Sequence, residues 1–348
     1  MAAKTARVDG RVPQCRSAHP RNRTAGLGRN RAHDLLGAPL EVAAAAGLGA
    51  RPPAGAHRFV EESFCRHRRW PFGDPAFRPT GAGLGAKSTS AAWFVAQWAQ
   101  LEQRNPRWGL AVLALPGYWI TLTLSTADLL ATTMLLAAAV AWRQRRLGLM
   151  AGSLSSALLT RETALLAWAA TGLTTCWERR WRWLLPLALV PLPLLAFTAS
   201  LKSRFAATSD GLLATLHFGP PGLGILQKAL QLLGLCSLPG PPLVGLERGF
   251  DGLCLLFWLA TLIVLATTAV RGWGGRWLRL TAALYLLPAL CTSTQILARF
   301  PDYTRVWIDL SSLALLALLS ARSRWLPWWL GAAAVLSVGY GVGFGWLA

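Results

Sequence analysis

The sequence predicts an all-α fold: a polytopic transmembrane helical bundle of about nine spans, several of them short or kinked. Three observations carry that reading. The 348 residues are 53% hydrophobic and only 14% charged, where soluble domains carry about 25% charged residues. Apolar runs of near-membrane length recur from residue 108 onward. Arginines gather in the short stretches after every second run, which is a signal of membrane orientation. A formal net charge of +20 could also point to nucleic acid. Arginines spaced between apolar runs are better explained by topology, so no nucleic-acid partner is expected.

Residues 1–90 differ in kind from the rest. They are rich in Arg, Ala, Gly and Pro, as from Arg11 to Arg31 and from Ala50 to Phe59. The longest weakly apolar stretch, Leu35 to Ala50, is interrupted by Gly37, Pro39 and Glu41. Nothing here reaches the ~20 apolar residues of a spanning helix. No apolar h-region follows the basic start, so it does not read as a signal peptide. The expectation is a disordered basic segment. A second reading is a GC-rich gene translated out of frame, which yields the same Arg/Ala/Gly/Pro text without periodicity.

Residues 91–348 form the predicted membrane domain. The stretch 92–102 reads as a short amphipathic helix, with Trp93 and Trp98 at an interface, and Asn105–Pro106–Arg107 then breaks the chain. Apolar runs follow at 108–124, 127–142, 147–160, 163–177, 183–200, 250–270, 280–298, 306–321 and 326–347. A run of sixteen residues spans roughly 24 Å at ~1.5 Å each, less than the ~30 Å hydrocarbon core. Such helices thin the bilayer or end at polar residues lining a cavity. Pro186, Pro191 and Pro193 predict a kink in the run 183–200. The Gly- and Pro-rich stretch 201–249 reads as an external loop with partly embedded helices, one of them short and apolar near 225–235.

Orientation follows from arginine placement. Arg143, Arg145 and Arg146 follow the second run, and Arg179, Arg180 and Arg182 the fourth. Arg271, Arg276 and Arg279 follow the sixth, and Arg322 and Arg324 the eighth. Tryptophans mark the same boundaries, so these loops are predicted to be cytoplasmic, in a multi-pass protein of the cell (inner) membrane. Asp128, Glu162, Asp210, Glu247, Asp251, Asp302 and Asp309 fall at or near the opposite ends of the runs; only Glu178 keeps company with the arginines.

The six cysteines are scattered and no two form a CxxC. Four lie in or beside apolar runs, where cysteine behaves as a small hydrophobe. Neither a disulfide framework nor a zinc site is expected. Cys65 and His67 supply two ligands at most. No cofactor is identified, and no ligand set supports a divalent metal.

Three motifs carry candidate chemistry. In LSTADLL (124–130), Ser125 or Thr126 can cap a helix whose first turn holds Asp128. In LLTRETALL (158–166), Arg161 and Glu162 sit between two apolar runs, where charge is costly unless it reaches an interface or polar cavity. Arginine there can pair with a carboxylate or bind phosphate, and Thr160 or Thr163 can cap a helix. In ARFPDYTRVWIDL (298–310), Asp302, Arg305 and Asp309 are spaced to share one helix face. Pro301 starts that helix and Tyr303 suits an interface. An Arg305–Asp309 pair and a phosphate site at Arg305 both explain such charge beside the membrane. All three motifs belong to one side of the membrane, where an outward-facing polar cavity suits an amphiphile with an anionic head.

The text LSTADLLATTMLLAAAVAW, then LLTRETALLAWAA, with DYTRVWIDLS downstream, resembles bacterial members of the GT-C superfamily of membrane glycosyltransferases. The likeness covers about residues 92–348 and is greatest to proteins of cell-surface glycopolymer formation. The resemblance implies transfer of a sugar, with inversion, from a polyprenyl-phosphate donor to a glycan acceptor outside the membrane. Substrate-binding candidates are Arg161, Asp302 and Arg305, with both arginines on the donor phosphate. A carboxylate would be general base on the acceptor hydroxyl. Family members carry their essential acid in the first external loop, just after the first span. That part should precede Ala92, where this sequence shows neither a span nor an acidic motif. Asp128 and Glu162 are therefore the catalytic candidates, and a truncated or inactive member is the other expectation. A non-enzymatic alternative is a transporter of lipid-linked or anionic solutes, which commonly carries internal repeats; none is visible.

Overall fold

The computed structural model describes residues 81–123, 127–204, 218–235 and 245–345. The expected disordered segment falls almost wholly outside these residues, as do the proposed caps Ser125 and Thr126. The described residues lie within a single unit, Trp70–Ala348. Among them there is no strand, only one isolated bridge between Phe218 and Thr292.

The helices in chain order are α1 Gly81–Leu101, α2 Pro116–Thr123, α3 Asp128–Arg143, α4 Leu147–Thr160 and α5 Ala164–Trp177. Then come α6 Leu184–Leu189, α7 Leu192–Arg204, α8 Leu223–Leu232, α9 Gly245–Arg271 and α10 Arg276–Leu290. The last are α11 Thr294–Leu297, α12 Phe300–Val306, α13 Ile308–Ser320 and α14 Leu326–Tyr340. Three segments are long and apolar enough to cross a membrane: Trp181–Leu201, Gly245–Arg271 and Leu326–Gly343. A fourth is obtained if α12 and α13, bent by 57°, count as one span.

The nine apolar runs therefore do not become nine membrane-length helices. Pro116 divides the first run, leaving a 3₁₀ segment, Pro106–Ala114, before the short α2. The second, third and fourth runs give helices of 16, 14 and 14 residues. At 1.5 Å per residue the latter two reach only about 21 Å. Within Trp181–Leu201 the helix is interrupted between Leu189 and Leu192, at the proline-rich site.

Helix α13 is the axis of the bundle and packs against α1, α3, α9 and α10. Leu310 and every residue from Leu313 to Leu319 are buried, as expected of a helix apolar on all faces. Helices α7 and α9 instead leave Leu195, Phe197, Leu256 and Ile263 exposed, faces suited to lipid. Helix α1 departs from the interfacial expectation: Trp93 is exposed, but Ala91, Val95 and Trp98 are buried. The Trp98 indole donates to Ser320 Oγ at 3.1 Å, which ties α1 to the end of α13.

The arginine-rich turns share one backbone device. Arg145, Arg179 and Arg322 adopt left-handed φ of 59°, 55° and 48°, as Gln103 does at 57°. In each case the next residue's N–H bonds a carbonyl five residues back: Arg104 to Ala99, Arg146 to Ala141, Arg180 to Thr175 and Ser323 to Leu318. Helices α1, α3, α5 and α13 thus end in Schellman closures that satisfy otherwise orphaned carbonyls, and cations there complement the helix dipole. Cross-contacts join these turns. Arg143 pairs with Glu102 at 2.6 Å, Arg276 lies over Trp177, and Arg180 lies over Trp142 and Trp183.

Candidate functional site

The end of α13 away from these turns holds the candidate site, and threonine chemistry helps to mark it. Inside apolar helices a threonine hydroxyl ordinarily bonds the carbonyl four residues back. Thr121, Thr133, Thr171, Thr174, Thr261 and Thr281 all do so. Thr132 and Thr163 do not: both donate to the Asp309 carboxylate, Thr163 at 3.3 Å. Thr163 stands at the N-terminus of α5 without capping it, and the hydroxyl of Thr160 turns back onto Ser156 and Ala157.

Asp309 also faces Arg161, whose Nη1 lies 3.7 Å from Oδ2. The Arg161 Nε lies 3.6 Å from Asp128 Oδ1, and Arg305 Nε lies 3.5 Å from Asp128 Oδ2. Arg161 Nη2 donates to the carbonyl of Val306. That carbonyl is accessible because the chain bends at Trp307: the Leu310 N–H bonds the Trp307 carbonyl instead of the Val306 one. Three segments thus supply one network: the start of α3, the α4–α5 turn and the α12–α13 bend.

The network is graded in burial. The side chains of Arg161 and Asp309 are 9% and 4% exposed, whereas those of Arg305 and Asp128 are 30% and 21% exposed. Arg161 Nη1 and Arg305 Nε are buried donors that face carboxylates without a direct hydrogen bond. The outer part of the cluster, Arg305 and Asp128, is therefore its solvent-accessible part.

Of the five candidates named from the sequence, Asp128, Arg161 and Arg305 come together. Asp302 lies in the field of Arg305, Arg299 and Lys228 but makes no ion pair among the described residues. Glu162 is exposed at the turn, outside the network. The Arg305–Asp309 pair, one of the two explanations the sequence offered for this charge, does not form. Their four-residue spacing presumes a continuous helix, and the 57° bend sends each side chain to a different partner.

Sequence reasoning passed over a second cluster. Lys228 of α8 pairs with Asp251 of α9, both side chains fully buried. Lys228 also donates to the Ala298 carbonyl at 2.8 Å and to Gln231 Oε1 at 3.0 Å. The Tyr303 hydroxyl, buried rather than interfacial, donates to Asp251 Oδ1 at 2.9 Å. Burial pushes the Lys228 ammonium below its ordinary range, while Asp251 pulls it back up. This cluster anchors α8 to the body. The tight seat of Gly224 against the Thr292 carbonyl does the same, since a Cβ there would collide with it. Asp302, Tyr303 and Arg305 all lie on α12, so that short helix links the two charged groups.

Among the described residues no group of three or more His, Cys, Asp or Glu is placed to hold a metal ion. Compared with protein families, curated proteins and solved structures, the chain matches none.

Proposed function

We propose that the chain is a polytopic membrane glycosyltransferase of GT-C type that uses a polyprenyl-phosphate-linked sugar for cell-surface glycan assembly. In this reading it resides in the cell (inner) membrane with its arginine-rich turns cytoplasmic and the Asp128–Arg161–Arg305 centre on the opposite side. The observation that supports the reading most is convergence: Asp128, Arg161 and Arg305, from three separate motifs, meet in one network, and the Arg305 and Asp128 side chains are its partly exposed members. Arginine suits a phosphate because its planar fork offers paired donors. The donor phosphate would approach Arg305 and replace Asp128 as its counter-ion.

A carboxylate, Asp128 or the exposed Glu162, would then accept the acceptor hydroxyl proton as that oxygen attacks the anomeric carbon from the far side. The anomeric C–O bond to phosphate breaks, the phosphate oxygen keeps the electron pair, and the arginines neutralise its growing charge. Asp302 would tune the field at Arg305.

One observation favours a non-enzymatic second reading. Arg161 already faces Asp128, Asp309 and the Val306 carbonyl, as a structural residue in a carrier of anionic lipids or solutes would. Incubating the purified full chain with radiolabelled polyprenyl-phosphate sugars and an envelope acceptor extract separates the two. The enzyme reading expects transfer that falls at least tenfold in Arg305→Ala. Donor binding without transfer supports a carrier. Neither binding nor transfer refutes the site.

A further inference from the structure

An apolar groove lies away from the charged centre. It runs between α9 and α14 with a volume of about 940 Å³. Its apolar walls are formed by residues such as Leu256, Ile263, Leu336 and Val335. Along α9 it extends from Leu253 to Arg271, about 27 Å at 1.5 Å per residue, close to the thickness of a bilayer's hydrocarbon core. At its far end it is closed by Arg271, Arg324, Trp325 and Trp328.

Of the arginines in these turns, Arg271 and Arg324 are the ones that line this groove. Arg143 and Arg180 are paired with Glu102 and Glu178, and Arg279 donates to the Ala269 carbonyl. Among the described residues no carboxylate pairs with Arg271 or Arg324, and both are exposed. Arg271 closes the last turn of α9, where a cation complements the helix dipole. That explanation fails for Arg324. It stands two residues before α14 begins, at the positive end of that helix, where the dipole favours an anion. The Arg324 guanidinium lies over the Trp325 ring, 5.5 Å from its centroid, a contact that leaves its charge without an anionic partner among the described residues at the mouth of a membrane-length apolar trough.

We propose that this groove binds a phosphate-bearing membrane lipid, with its acyl chain along α9 and α14 and its headgroup phosphate between Arg271 and Arg324. An anionic phosphate supplies the missing counter-charge and accepts several guanidinium hydrogen bonds. The apolar walls take the chain, and the exposed Trp325 and Trp328 suit the headgroup boundary. This site is separate from the Asp128–Arg161–Arg305 centre and stands whether or not that centre transfers sugar.

The test titrates the purified full chain, in detergent micelles, with phosphatidylglycerol carrying brominated acyl chains and follows quenching of tryptophan fluorescence. Brominated phosphatidylcholine is the comparison lipid. The expected result is half-maximal quenching at a phosphatidylglycerol concentration at least fivefold below that of phosphatidylcholine. That preference is lost in the Arg271→Gln/Arg324→Gln variant and retained in Arg276→Gln. Both altered side chains are exposed, and unchanged helicity and elution volume show that the variant is folded. Equal quenching by the two lipids, or a preference that survives the double substitution, overturns the proposal and leaves the groove as ordinary lipid-facing surface.

Discussion

Removing the carboxylate of Asp309 is the perturbation that bears most directly on the charged centre. In the Asp309→Leu variant Arg161 keeps Asp128 and the Val306 carbonyl, but Thr132 and Thr163 lose their acceptor. At the 3.7 Å separation of Arg161 Nη1 and Asp309 Oδ2, Coulomb attraction is roughly 4 kcal/mol for an effective dielectric of ~20. Removing one partner from a buried pair costs about 3–5 kcal/mol, because the other charge is left uncompensated. The threonines recover part of this by turning back to their own helix. In a double-mutant cycle with Arg161→Met, the coupling expected is about 2–3 kcal/mol. The measurement is unfolding of the purified chain by SDS titration in mixed micelles, followed by loss of helicity. Arg143 and Glu102 provide the control. Their atoms are closer, at 2.6 Å, but their side chains are 35% and 16% exposed, so solvent screens them and coupling stays below about 1 kcal/mol. An Arg161–Asp309 coupling no larger than that of the control would refute the claim that burial makes this network strong.

Three further outcomes use the same unfolding assay. Lys228→Met destabilises by about 3–5 kcal/mol, and adding Asp251→Leu restores at least half; no restoration would show that packing, not charge, holds α8. Gly117→Ala brings a Cβ to 2.5 Å from the Thr304 carbonyl, costing about 1–3 kcal/mol; unchanged stability would mean that α2 and α12 separate without penalty. Arg179→Gly is more stable than Arg179→Ala by about 1 kcal/mol, since only glycine is free of strain at a left-handed position; equal stability would deny that this φ of 55° matters.

The helical class, the alternation of arginine turns and the convergence of three motifs were legible in the sequence because each rests on a local signal. Hydrophobicity marks helices, and charge between them marks their ends. Span count was less legible, since composition cannot see how helix axes break. The Leu115–Pro116 step and the bend at Trp307 turn apolar text into short elements. The same bend defeated the Arg305–Asp309 pairing, which depended on an unbroken helical period. Thr132 carried no warning either: it looks like any threonine in an apolar helix until its hydroxyl reaches Asp309, which lies 177 positions away. Lys228 stood in the short apolar helix read near 225–235, which the structure places at Leu223–Leu232. Its pairing with Asp251 is a contact across sequence that periodicity does not encode.

The molecule has two unlike ends, and the proposed orientation puts the arginine turns on the cytoplasmic side and the charged centre on the other. The most direct measurement places single cysteines at either end of a chain whose six native cysteines have been replaced. Glu162 and Arg145 are both exposed and mark the two ends. A membrane-impermeant maleimide applied to intact cells, freed of any outer barrier, should label Glu162→Cys at once and Arg145→Cys only after permeabilisation. Labelling of both without permeabilisation, or of Arg145→Cys alone, would contradict the account.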